Sequence, residues 1–81
     1  MNSKKYFFCQ VNTIEKVKSF VRDAESFSCD IDAIHGRYTL DAKSIMGLFS
    51  IDLTKKILLR IHSEDRPEIL RFYEIMSKYV D

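Results

Sequence analysis

The architecture of this chain is most visible in residues 41–48, which read Asp41-Ala42-Lys43-Ser44-Ile45-Met46-Gly47-Leu48. Ser44 stands directly before apolar residues with helical spacing, so the pattern predicts a helix of two turns from Ser44 to Ser50. The first turn of a helix has N–H groups without intrahelical partners and a partial positive charge. A serine there is a favoured N-cap, and its hydroxyl can also carry a phosphoryl group with little electrostatic strain.

The residues after this stretch predict one strand and one helix. The strand Lys56–His62 alternates, with Ile57, Leu59 and Ile61 on one face and Leu58, Arg60 and His62 on the other. The run Asp65-Arg66-Pro67-Glu68 predicts a helix start, because Pro suits the first turn and Asp with Glu three residues later forms a capping box. The broad apolar stripe of this last helix consists of Ile69, Phe72, Tyr73, Ile75, Met76, Tyr79 and Val80.

The residues before the stretch predict a strand and the clearest amphipathic helix of the chain. In the strand Lys5–Val11, either Tyr6 and Phe8 or Phe7, Cys9 and Val11 could face a core, so its register stays open. The run Asn12-Thr13-Ile14-Glu15 is typical of a helix start. The apolar stripe of the helix that follows consists of Ile14, Val17, Phe20, Val21 and Ala24.

A hairpin is predicted between this helix and residues 41–48. Ser28–Ile34 and Arg37–Asp41 have strand composition, and His35-Gly36 between them is the predicted two-residue connection. Gly36 can supply the positive φ that such a turn needs. The element order is therefore βαββαβα, and no linker or repeat divides it, so we expect one domain over residues 1–81.

Composition excludes several classes of function. The 81 residues include 13 Lys plus Arg and 12 Asp plus Glu, and a net charge of +1 gives no electrostatic footprint for nucleic acid or anionic lipid. No apolar segment is long enough to span a membrane, and the N-terminus has no signal-peptide core. Cys9 and Cys29 suit reduced thiols in a cytoplasmic protein better than a disulfide or metal site. We expect no metal and no cofactor.

Two stretches together resemble the histidine-containing phosphocarrier protein, HPr: Phe20-Val21-Arg22-Asp23-Ala24-Glu25-Ser26-Phe27 and Ala42-Lys43-Ser44-Ile45-Met46-Gly47-Leu48. The resemblance covers nearly the whole chain. It implies an α+β fold, an open-faced β-sandwich in which a four-stranded antiparallel sheet carries three helices on one face. HPr proteins are non-enzymatic components of the phosphoenolpyruvate-dependent sugar phosphotransferase system.

The Lys-Ser-Ile-Met-Gly run resembles in particular the HPr proteins of low-GC Gram-positive bacteria. Their serine at this point is phosphorylated by an ATP-dependent kinase to signal carbon status. The resemblance therefore implies that Ser44 is a regulatory phosphorylation site in carbon catabolite regulation, and that an HPr-type serine kinase/phosphorylase is a partner.

The chain departs from the family at the carrier site. Carriers place a phosphoacceptor histidine at the start of the first helix, followed two residues later by Arg and then by Pro. Thr13, Glu15 and Lys16 occupy the corresponding positions here. A threonine phosphate ester is too stable to pass its phosphoryl group onward, and Glu15 adds negative charge where a cation should meet phosphate. We therefore interpret these three residues as a degenerate carrier site.

The two histidines of the chain do not replace the lost acceptor. His35 is predicted beside the hairpin turn, and His62 is predicted on the polar side of a strand end. The sequence points to no neighbouring acid for either residue, so surface histidine is the default interpretation.

These observations favour a regulatory protein-interaction module over a phosphohistidine carrier. Ser44 is the predicted switch, and Lys43, Ile45, Met46 and Phe49 form the predicted docking surface for a regulatory protein target. The chain is expected to be a monomer, although the aromatic first strand also suits pairing in a dimer. Two alternatives stay open: a phosphoryl carrier with a non-standard acceptor, and a small ligand-binding or nucleic-acid-binding module.

Overall fold

The chain folds in the predicted order βαββαβα. A computed structural model describes residues 6–80, apart from the side chain of Phe7; Lys5, the predicted start of the first strand, lies outside them. The elements are β1 (Tyr6–Cys9), α1 (Ile14–Glu25), β2 (Ile31–His35), β3 (Tyr38–Asp41), α2 (Ile45–Phe49), β4 (Ile57–Ile61) and α3 (Arg66–Met76), followed by a 3₁₀ helix (Ser77–Tyr79). The α+β fold with four antiparallel strands and three α-helices is thus confirmed.

The four strands form one antiparallel sheet in the order β1-β4-β2-β3. The central strand β4 pairs with β1 on one side and with β2 on the other, so that Arg60 lies between Tyr6 and Asp32. The hairpin strand β3 completes the sheet beyond β2. The last strand in the chain, β4, occupies a central position. The sheet is therefore complete only when β1 and the β2–β3 hairpin have both paired with β4.

The hairpin connection differs by one residue from the prediction. His35 pairs with Tyr38, so the two-residue loop is Gly36-Arg37 and not His35-Gly36. Gly36 has φ +60°, while Arg37 has no positive φ, which is the pattern of a type II′ turn with glycine first. The strand β2 also begins later than predicted, at Ile31, because residues 28–30 carry the chain from the end of α1 to the sheet.

One face of the sheet supplies the strand side of the core. Along β4, Ile57, Leu59 and Ile61 are buried, as their alternation predicts. In β1 the register is now fixed: Cys9 is buried, whereas Tyr6 and Phe8 are exposed. The helices therefore cover the face that carries Cys9 and the odd-numbered residues of β4, and the opposite face is open.

The helices bury narrower stripes than their sequences predict. Val17, Phe20, Val21 and Ala24 of α1 are buried, but Ile14 is 59% exposed because it begins the helix at the rim of the core. From the last stripe, Ile69, Phe72, Met76 and Tyr79 are buried, Ile75 is half-buried, and Tyr73 and Val80 are exposed. Ile14, Tyr73 and Val80 therefore lie on the predicted apolar stripes but outside the core.

Polar side chains fix the starts of the long helices. Thr13 Oγ1 accepts a hydrogen bond from the Lys16 N–H at 3.1 Å, which makes Thr13 the N-cap of α1. Asp65 caps α3 through the Glu68 N–H at 3.1 Å. The reciprocal half of the predicted capping box is replaced, because the Glu68 carboxylate accepts from Ser63 Oγ and the Asp65 N–H donates to that same hydroxyl oxygen.

The Tyr79 hydroxyl joins the C-terminal 3₁₀ helix to α1. It lies 2.7 Å from Asp23 Oδ2 and 2.8 Å from Ser19 Oγ, so it donates to the carboxylate and accepts from the serine. Its ring meets Phe20 edge to face, with centroids 5.4 Å apart. Burial is the main reason that the pKa of Tyr79 rises to about 12. This contact fastens the end of the chain over the core.

Cys9 and Cys29 are both free thiols. Cys9 is buried in β1, and burial raises the pKa of its thiol to about 12. Cys29 is half-buried, and burial followed by the nearby Glu68 carboxylate raises its pKa as well. A raised pKa keeps a thiol protonated and slow to react at neutral pH, so neither cysteine has the environment of a nucleophile.

We predict that Tyr79→Phe lowers the free energy of unfolding by about 1 kcal/mol, because it removes the hydroxyl between Asp23 and Ser19 and leaves the ring packing intact. Urea denaturation followed by circular dichroism measures this difference. Tyr38→Phe is the matched control, because Tyr38 is 61% exposed. Equal stability of the two variants would contradict the assigned role of the Tyr79 hydroxyl.

Candidate functional site

Ser44 is the N-cap of α2. Its backbone is extended, with φ −100° and ψ 105°, and its Oγ accepts a hydrogen bond from the Gly47 N–H at 3.1 Å. Its own N–H donates to the Asp41 carbonyl at 2.9 Å, which holds the serine at the end of β3. Ser44 is half-buried, and the two hydrogen bonds, to Gly47 after it and to Asp41 before it, fix its position.

Gly47 leaves the room that the Ser44 hydroxyl occupies. A Cβ atom at position 47 would lie 3.2 Å from Ser44 Oγ and 3.5 Å from Ser44 Cβ. The first distance is shorter than ordinary van der Waals contact, so a residue with a Cβ atom would force Ser44 Oγ to shift by a few tenths of an ångström. Ser44 and Gly47 therefore act together, because the absence of a side chain at Gly47 allows the Ser44 hydroxyl to approach the first turn of α2. We call residues 44–47 the Ser44 to Gly47 unit.

The helix α2 is shorter than predicted and exposes an apolar patch. It spans five residues instead of the two full turns from Ser44 to Ser50, since Ser50 is its C-cap. Leu48 is fully buried and Ile45 is half-buried against the core, whereas Met46 is 80% and Phe49 45% exposed. Of the three apolar residues of the predicted docking surface, the structure thus exposes Met46 and Phe49.

Lys43 makes a hydrogen bond inside the fold that the sequence does not reveal. Its Nζ donates to the Phe27 carbonyl at 2.8 Å, and its backbone N–H donates to Asp41 Oδ1 at 2.9 Å. The ammonium group thus points towards the end of α1. We therefore leave Lys43 out of the predicted docking surface, which we define from here on as Met46 and Phe49 together with the partly covered Ile45.

The predicted degenerate carrier site is at the first turn of α1, where Thr13, Glu15 and Lys16 are all exposed. Thr13 is the cap described above, and Glu15 is the acidic residue of that turn. Exposed Ile14 stands between them. Because α1 packs against α2, the start of α1 and the docking surface belong to the same layer of helices.

His62 has an acidic partner that the sequence analysis missed. Its Nε2 lies 2.6 Å from Asp32 Oδ2, so His62 has a neighbouring acid to which the sequence does not point. The two residues are 30 positions apart and meet because β2 pairs with β4. The sequence signal was present in the alternation, since Asp32 and His62 both occupy polar positions of their strands, but it needed the strand register to be read.

The sheet order, the single layer of helices and the capped short helix after β3 define an open-faced β-sandwich of the HPr type. Two solved structures share this fold over nearly their whole lengths. HPr-C-His from Thermoanaerobacter tengcongensis has 20% sequence identity and a TM-score of 0.72, with 93% of each chain covered. The phosphocarrier protein HPr from Bacillus anthracis str. Ames has 27% identity and a TM-score of 0.68, with 94% of this chain and 95% of that chain covered.

These structures confirm that the chain is HPr-like, as the two sequence stretches indicated. The sequence itself matches no protein-family profile and no curated protein. The fold is that of a phosphocarrier, and it supports the interpretation of a protein that is not an enzyme. Within residues 6–80, no helix is long and apolar enough to cross a membrane.

We predict that Ser44→Ala lowers the free energy of unfolding by about 0.5–2 kcal/mol, because it removes the acceptor for the Gly47 N–H. Ser44→Asp should unfold close to wild type, since aspartate is also a favoured N-cap. Thermal and urea denaturation measure both variants, with exposed Ser28→Ala as the control. An Ser44→Asp variant less stable than Ser44→Ala would show that this site does not tolerate negative charge.

Proposed function

We propose that this protein is a regulatory protein-interaction module related to the phosphoenolpyruvate-dependent sugar phosphotransferase system, switched by phosphorylation of Ser44. It works in the cytoplasm, in carbon catabolite regulation of the Gram-positive type, and it is not a phosphohistidine carrier. The observation that carries the proposal is that Thr13 caps α1 where a carrier needs histidine, while the Ser44 to Gly47 unit at α2 is intact.

Chemistry separates this function from that of a carrier. Phosphoryl transfer onward requires a labile bond, which phosphohistidine provides and a phosphothreonine ester does not. At the start of α1 the Thr13 hydroxyl is already an acceptor for the Lys16 N–H, and Glu15 places a negative charge in the same turn. A phosphate at this turn would meet a repulsive carboxylate where a carrier supplies a cation.

A phosphate on Ser44 would act as a switch beside the docking surface. It would add about −1.5 to −2 charges next to exposed Met46 and Phe49. The N–H groups of the first turn of α2 can donate hydrogen bonds to the phosphate, so the helix need not refold. Lys43 does not contribute a further cation, because its ammonium group donates to the Phe27 carbonyl. The modification therefore changes what the apolar patch can bind while the core stays the same.

The partners that suit this surface are proteins. An HPr-type serine kinase/phosphorylase would add and remove the phosphate, and a regulatory protein target would read it. Met46 and Phe49 offer the apolar contact, and Met adapts readily to different partners. Nucleic acid and membrane are not expected partners, because the net charge of the chain is only +1.

One observation favours the alternative of a carrier with a non-standard acceptor. Pairing of His62 Nε2 with Asp32 leaves Nδ1 as the free ring nitrogen, and such a pairing raises the nucleophilicity of an imidazole. However, Asp41 pairs with Asp32 across the strands, so a second carboxylate lies near the same place. Two carboxylates outweigh the single cation Arg60, which also pairs with Asp32, and so disfavour an incoming phosphoryl donor; the regulatory function is therefore the better supported one.

We predict that an HPr-type serine kinase from a low-GC Gram-positive bacterium labels the wild-type protein with ATP and leaves Ser44→Ala unlabelled. Radiolabel incorporation measured on a gel decides the result. Ser50→Ala, at the other end of α2, is the matched control and should keep the label. Absence of label on the wild type, with a normal HPr labelled in parallel, would reduce Ser44 to a helix cap.

We predict that the protein accepts no phosphoryl group from phosphoenolpyruvate and the general phosphotransferase enzyme, because Thr13 replaces the acceptor histidine. A phosphate-affinity gel run without acid treatment measures this, and a phosphocarrier HPr in the same reaction is the positive control. Acid-labile label on the wild type that disappears in His62→Gln would establish the alternative carrier instead.

A further inference from the structure

We draw no further inference here: the strongest candidate, the groove that Tyr38, Leu40 and Ile51 line between the β2–β3 hairpin and the segment after α2, carries none, because nothing in the structure shows what covers it.

Discussion

Only one face of the four-stranded sheet is covered, so every apolar side chain of the core must reach that face. This constraint explains the strict alternation of β4, in which Ile57, Leu59 and Ile61 are buried while Arg60 is exposed. It also explains why Cys9 faces the core and Phe8 does not. Once this single layer is filled, contact with other molecules is left to the ends of the helices, to the short helix α2 and to the sheet face opposite the helices.

Phe27 connects the core to the candidate site. Its ring is buried against Phe72 of α3, with centroids 5.8 Å apart at 82°, and the Arg71 guanidinium lies over it at 4.1 Å. Its carbonyl accepts the Lys43 ammonium, and Lys43 is the residue directly before Ser44. The entry into α2 is therefore anchored to the end of α1. By contrast, the start of α1 needs only a side-chain acceptor, which Thr13 supplies, so carrier chemistry can be lost without cost to the fold.

The features that the sequence predicted correctly depend on local periodicity, and those it missed depend on contacts between distant segments. The order of elements, the two faces of β4 and the cap at Ser44 follow from spacing within a few residues. The sequence could not show that Lys43 reaches Phe27, 16 residues away, or that Asp32 meets His62 across paired strands. The predicted hairpin loop lies one residue before the observed one, because a single glycine does not reveal which loop position takes the positive φ.

The proposed function requires that this HPr-like chain carry a serine switch at Ser44, although Thr13 stands where a carrier has its histidine. The most direct test is mass spectrometry of the protein purified from the cells that make it, with digestion and separation at neutral pH so that labile phosphate survives. We expect one acid-stable phosphate on the peptide that contains Ser44, in a fraction that changes with the carbon source. Acid-labile phosphate on His35 or His62, with Ser44 unmodified under every condition, would contradict it.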